Sequence, residues 1–116
     1  MKETQQQKSG ETKKSEPIPC TDGSVIWVLN GDMDGPLHRE DGPAVDTNWG
    51  RTEWWLEGKQ HREDGPAIEY EGAPYMNEWW LNDEEASPED LVDLWLMRGV
   101  FCFYDKDAYK LVFEDD

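Results

Sequence analysis

A chain of 116 residues with 27 acidic against 11 basic side chains carries a formal net charge of −16, and such a field repels DNA, RNA and anionic lipid. Its seven tryptophans exclude the acidic, aromatic-poor composition of a disordered chain, because each large ring buries substantial area in a core. No apolar run reaches the roughly 18–20 residues that span a bilayer, and the opening MKETQQQKSGETKKSE lacks the apolar stretch of a secretory signal.

Residues 1–19 are Gln, Lys, Glu, Ser and Thr with little to bury, and are expected to form a disordered tail. The tail holds four lysines against three glutamates, so residues 20–116 carry 24 acids against seven bases and form one acidic domain. The run Ser24–Leu29, SVIWVL, has the β-branched and aromatic character of a strand, and Asn30-Gly31 follows it as a tight-turn signal.

An internal repeat dominates the middle of the chain. His38–Ala44 reads HREDGPA, and His61–Ala67 reads the same seven residues, 23 positions later. The aromatic segments ahead of them correspond as well: Ile26–Gly31, Glu53–Gly58 and Glu78–Asp83, with Trp27, Trp54 and Trp79 in register. Each unit is an aromatic strand, a turn, the heptapeptide, a short second strand (Ala44–Thr47, Ala67–Tyr70) and a looped return. The first unit has extra residues around Asp32–Leu37. A period of this size predicts stacked units that bury a face only against their neighbours. Within Thr52–Leu56, read as one strand, Trp54 and Trp55 point to opposite faces. One member of each Trp pair then fills the core, leaving either Trp54 and Trp79 or Trp55 and Trp80 for a contact surface.

Downstream, Ser87-Pro88-Glu89-Asp90 predicts a helix start, with Ser as N-cap, Pro at the first position and acids in the first turn. The predicted helix covers about 88–98, with Leu91, Leu94, Trp95 and Arg98 on one face, Val92, Leu96 and Met97 widening its apolar side, and Gly99 ending it. A terminal hairpin is expected over about 100–113, and the helix caps the open end of the sheet.

The aromatic strand, NG-like turn and HREDGPA block resemble the MORN-like repeats of small bacterial and bacteriophage proteins, over about Ile26–Asp83. The resemblance implies a mainly β fold in which antiparallel hairpins stack into an elongated, curved sheet. It leaves out the tail, the helix and the last hairpin, and only two complete blocks are present, the third ending at Asn82-Asp83. Such units serve as scaffolds and interaction surfaces. Lipid binding, attributed to some MORN proteins, runs against the negative charge.

The blocks admit catalytic, metal-binding, partner-binding and structural readings. A histidine base, with Arg39 or Arg62 as anion clamp and Asp41 or Asp64 as orienter, is the enzymatic reading. Repetition favours architecture instead, because an active site need occur once while a fold-forming turn recurs in every unit. Hence His38, Arg39, Asp41, Gly42, Pro43 and their counterparts His61, Arg62, Asp64, Gly65, Pro66 are assigned to structural turns, the aspartates accepting backbone N–H bonds or pairing with the nearby arginine. Zinc needs three or four convergent N or S ligands, and Asp32-Met33-Asp34-Gly35 is a calcium-loop fragment without the later ligands. No catalytic residue, metal or cofactor is assigned. Cys20 and Cys102 lack ligand-like spacing and are expected to be reduced thiols of a cytoplasmic protein.

The stretch Asp83–Asp93 contains six acids and no base. Glu84, Glu85, Glu89, Asp90 and Asp93, with exposed members of Trp54, Trp55, Trp79 and Trp80, form the expected contact set. The expected function is a non-enzymatic protein-binding module, an inhibitor or adaptor whose carboxylates mimic nucleic-acid phosphates and block a basic, nucleic-acid-handling protein such as a host-defence enzyme. The alternatives are a self-associating assembly protein, with dimerisation through open sheet edges, and a His-dependent enzyme.

Overall fold

Eleven short strands and one helix make up the described part of the chain, residues 14–114 of a computed structural model. In chain order these are β1 (Ser15–Pro19), β2 (Val25–Leu29), β3 (Val45–Asp46), β4 (Arg51–Glu53), β5 (Trp55–Leu56), β6 (Lys59–Gln60) and β7 (Ile68–Tyr70), then a 3₁₀ turn at Pro74–Met76. β8 (Trp79–Leu81), β9 (Glu84–Ala86), α1 (Pro88–Met97), β10 (Cys102–Asp105) and β11 (Lys110–Phe113) follow. The fold is mainly β and antiparallel. One five-stranded sheet has the order β1-β2-β3-β4-β7, and β5–β6, β8–β9 and β10–β11 are two-stranded.

The tail expected over residues 1–19 lies outside the described residues as far as residue 13, and from Ser15 the chain departs from it. β1 pairs with β2 along its whole length, from Ser15 opposite Leu29 to Pro19 opposite Val25. This segment buries little of its own surface. It covers the edge of an apolar neighbour, VIWVL, whose unpaired N–H and C=O groups need partners. Composition registers what a segment can bury and is blind to what it can cover.

Three turns share one backbone form. Asn30-Gly31, Glu57-Gly58 and Asn82-Asp83 have φ of 58° and 72°, 50° and 81°, and 51° and 69°. Two consecutive positive φ values suit the right-handed twist of a two-residue hairpin. Leu56 pairs with Lys59 across the second turn and Leu81 with Glu84 across the third. In the first unit the extra residues delay closure: Val28 bridges Leu37, and the Leu29 N–H donates to the Pro36 carbonyl at 3.0 Å.

Thr52–Leu56 is not the single strand expected. The pairing changes at Trp54, whose N–H donates to the Ala67 carbonyl at 2.7 Å while its own carbonyl accepts the His61 N–H at 3.2 Å. Upstream, β4 lies between β3 and β7; downstream, β5 turns back on β6. A heptapeptide wedged beside the strand forces this exchange of partners.

The helix starts as the sequence predicts. The Ser87 hydroxyl accepts the Asp90 N–H, the Asp90 carboxylate accepts the Ser87 N–H, and Pro88 occupies the first turn. Leu91 is fully buried and forms the core with Trp79 and Leu111, while Trp95, Val92, Tyr104 and Phe113 pack around them. Leu96 and Met97, expected to widen the buried side, are exposed, because α1 rests on one hairpin and β8 rather than entering a full layer. Among the described residues no helix is long and apolar enough to cross a membrane.

Candidate interaction surface

Each heptapeptide is stapled between two consecutive aromatic strands, and the two copies use the same bonds. The His38 N–H donates to the Trp27 carbonyl at 3.0 Å and the Arg39 N–H to the Trp55 carbonyl at 3.0 Å. Correspondingly, the His61 N–H donates to Trp54 at 3.2 Å and the Arg62 N–H to Trp80 at 3.1 Å. At the far end, the carbonyl of Ala44 accepts from Trp27 and its N–H donates to Glu53, and Ala67 does the same with Trp54 and Glu78. Both alanines are fully buried. Two blocks therefore engage three aromatic strands, and the third aromatic segment needs no heptapeptide of its own because it receives the second.

The histidines tie each block to the next turn. His38 Nδ1 accepts the Glu57 N–H at 2.9 Å, and His61 Nδ1 accepts the Asn82 N–H at 3.0 Å. With Nδ1 accepting, the ring proton resides on Nε2, which faces Glu40 Oε2 at 3.4 Å in the first block and Glu63 Oε2 at 3.0 Å in the second. This arrangement leaves neither ring a lone pair for abstracting a proton. His38 is 1% exposed.

The arginines fold back over their own blocks. Arg39 Nε donates to Asp41 at 2.9 Å, its Nη1 donates to the Pro43 carbonyl at 3.2 Å, and its guanidinium lies 3.9 Å from the Trp27 ring centre. Arg62 repeats this with Asp64 at 2.8 Å, Pro66 at 3.1 Å and Trp54 at 4.0 Å, and adds an ion pair to Glu69 at 3.2 Å. Of the two roles open to the aspartates, pairing with arginine is the one found. A Cβ on Gly42 or Gly65 would fall 2.8 Å from the guanidinium carbon, so glycine leaves the space through which the arginine returns.

The second block also carries the cap. The Glu63 carbonyl accepts the Trp95 indole N–H at 2.7 Å, and Glu63 Oε1 accepts from Arg98 at 2.8 Å. The Arg98 bond, and after it the His61 bond and the Arg98 charge, hold the Glu63 carboxyl below the usual glutamate value against the opposing effect of its burial. These contacts span 32 and 35 residues, beyond any local sequence signal. The clue was that Glu40 and Glu63 are identical in the two copies.

The five acidic residues of the expected contact set are all exposed, on β9 and α1, although the Asp90 carboxylate is engaged in the helix cap. One member of the third tryptophan pair fills the core, as expected, but none of the four is fully exposed. Trp79 is 8% exposed and belongs to the core, where Tyr104 meets its ring edge-on at 5.7 Å. Trp54, Trp55 and Trp80 are half-buried, and the last two donate to Glu53 and Glu78. The exposed indole is Trp49, in the β3–β4 loop, at 63%. Arg39, Glu40, Trp54, Leu56, Trp95 and Phe113, together with His61–Asp64 of the second block, line an open groove of about 470 Å³.

Among the described residues no three His, Cys, Asp or Glu side chains are grouped to hold a metal ion. Asp32 instead closes a local turn, Oδ1 accepting the Asp34 N–H at 3.0 Å. Cys20 and Cys102 are free and half-buried, and burial raises the Cys102 thiol. His61 lines the groove, whereas His38 is not among its lining residues and is 1% exposed. Comparison with known proteins found no matching family model, no significant match among curated proteins and none among solved structures.

Proposed function

We propose that this chain is a non-enzymatic protein-binding module: a short MORN-like stack, clamped by its two heptapeptides and closed by α1, that acts as inhibitor or adaptor on a basic, nucleic-acid-handling protein. The observation that supports an architectural role for the blocks is the engagement of their chemically capable side chains. Both imidazoles accept backbone N–H groups of the following turn, and both guanidiniums are tied to an aspartate, a proline carbonyl and an indole face. The observation that supports the partner class is the net charge of −16 together with exposed carboxylates on β9 and α1. Such a surface attracts a cationic groove and accelerates the encounter at low salt.

Affinity capture from cell lysate at low and at raised salt tests this reading. The expected result is a protein retained at low salt, released as salt rises, and lost when Glu84, Glu85, Glu89 and Asp93 are changed together to glutamine. Retention indifferent to both salt and charge removal would count against it. A second reading, self-assembly, is favoured by one observation: Leu96, Met97, Phe101 and Phe103 are exposed apolar side chains of the cap. Sedimentation across a concentration series decides between the two.

A further inference from the structure

The loop end of the sheet holds a second cleft, of about 580 Å³, which the carboxylates of β9 and α1 do not line. Its floor is one cross-strand row. Asp46 stands opposite Thr52, and Thr52 opposite Glu69, so the three side chains share a face of β3, β4 and β7. At about 5 Å per step the row is about 10 Å long. The β3–β4 loop adds Asn48, and the loop after β7 adds Glu71 and Asn77. The two loops are joined by the Glu71 N–H, which donates to the Gly50 carbonyl at 2.7 Å. The turn between β10 and β11 contributes Tyr109 and Lys110.

The polar groups of this cleft are open where those of the heptapeptides are engaged. Among the described residues, Asp46, Thr52, Glu71, Tyr109 and Lys110 make no side-chain hydrogen bond or ion pair. Asn77 Oδ1 accepts the Tyr70 N–H at 2.8 Å, which leaves its amide N–H groups to donate. Asn48 Nδ2 donates to the Asp22 carbonyl, which leaves its Oδ1 to accept. Glu69 is already tied to Arg62 at 3.2 Å. The open charges are therefore two carboxylates, Asp46 and Glu71, and one ammonium, Lys110. A cation in the cleft would meet the ammonium, and an anion would meet the carboxylates. A neutral ligand rich in hydroxyls satisfies both, because each hydroxyl donates and accepts.

Tyr109 supplies an independent observation. Its φ of 57° is left-handed. The other non-glycine residues with positive φ among those described, Asn30, Glu57, Asn82 and Asp83, all belong to the two-residue hairpin turns. Glycine or asparagine is the ordinary occupant of such a site, and a bulky aromatic residue there carries a backbone cost. Strain of this kind gathers at binding sites, and Tyr109 lines the cleft. Two exposed rings, Trp49 and Tyr75, neighbour lining residues on the two loops. Aromatic faces beside convergent hydrogen-bonding groups match the two sides of a sugar ring, its C–H face and its hydroxyl rim.

We infer that this cleft binds a neutral saccharide. Asp46 and Glu71 accept from its hydroxyls, Lys110 and the Asn77 amide donate to them, and Tyr109 packs against its C–H face. The site goes beyond the protein-binding reading above and does not depend on it.

The test is a titration of the full ¹⁵N-labelled chain with lactose, maltose, cellobiose and N,N′-diacetylchitobiose, with spermidine and inorganic phosphate as charged probes. At least one disaccharide is expected to give saturable shifts at the Asp46, Thr52, Glu71 and Tyr109 amides. Asp46→Ala should weaken that binding roughly tenfold, the scale of one hydrogen bond to a charged group, and Glu85→Ala should leave it unchanged. Tyr109→Gly should weaken it comparably while the melting temperature holds or rises, since glycine adopts this φ freely. A lower melting temperature with unchanged affinity would make the tyrosine structural and overturn the assignment. Should Tyr109→Gly fail to fold, Asp46→Ala at the exposed end of β3 decides alone. No saturable shift with any disaccharide at high millimolar concentration, binding indifferent to Asp46→Ala, or tighter binding of spermidine or phosphate at the same residues also overturns it.

Discussion

His38 Nδ1 accepts the backbone N–H of Glu57 at 2.9 Å, 19 residues along the chain, from a position that is 1% exposed. An imidazole in that place fills volume and satisfies a turn amide in the next unit, which is the task of a structural bracket. His38→Ala should therefore cost stability, by about 3 kcal/mol, from the lost packing and the unsatisfied N–H. Chemical denaturation checks this: a fall in the midpoint at constant slope is expected. An unchanged midpoint accompanied by loss of a measurable turnover would return the residue to catalysis. His61→Ala should behave similarly through Asn82.

Gly65→Ala tests the return path of the Arg62 side chain. The new methyl would stand 2.8 Å from the guanidinium carbon, and the arginine can yield only by leaving Asp64, the Pro66 carbonyl and the Trp54 face. A loss of about 1–2 kcal/mol is expected, together with a change in the near-ultraviolet tryptophan signal. In an Arg62→Ala background the same substitution should cost far less, and equal costs in both backgrounds would separate the glycine from the arginine.

Much of this architecture was legible beforehand because it is local. The helix start at Ser87, the Asn-Gly turn and the pairing of arginine with aspartate two residues on each follow from a few adjacent residues. The repeat was legible because a heptapeptide recurs without change. Three things were not: the strand at Ser15–Pro19, the break at Trp54 and the choice of Trp79 over Trp80 for the core. Each depends on which segment lies alongside, and residue type does not carry that information. Trp79 and Trp54 occupy corresponding positions, yet one meets Tyr104 of the terminal hairpin and the other meets Arg62. Only the assembled chain distinguishes an interior unit from the unit under the cap.

Acid should loosen the cap through Glu63. Its folded pKa lies below the ordinary value of 4.5, first through the Arg98 bond, so the folded state takes up this proton less readily than the unfolded chain. The resulting stabilisation is complete above the unfolded value and disappears as pH falls through the lower folded one. Arg98→Gln removes the main cause. The stability gap between wild type and Arg98→Gln should be open at neutral pH and close below pH 4.5. Thermal melts of both proteins from pH 7 to pH 3 provide the check, and a gap that widens on acidification would contradict it.

The three turns also expose a position where the chain can be improved. Asn30 and Asn82 hold the first left-handed site of their turns at φ 58° and 51°, while Glu57 holds it at φ 50° in the second. Asparagine tolerates this conformation better than glutamate, and Asn-Gly is the favoured pair for a two-residue hairpin. The backbone N–H that His38 receives is unaffected by the exchange. Glu57→Asn should therefore raise stability by about 0.5–1 kcal/mol, seen as a higher melting temperature. Glu57→Val, whose branched side chain is strained at positive φ, should lower it. If both substitutions shifted the midpoint in the same direction, backbone conformation would not be what limits this turn.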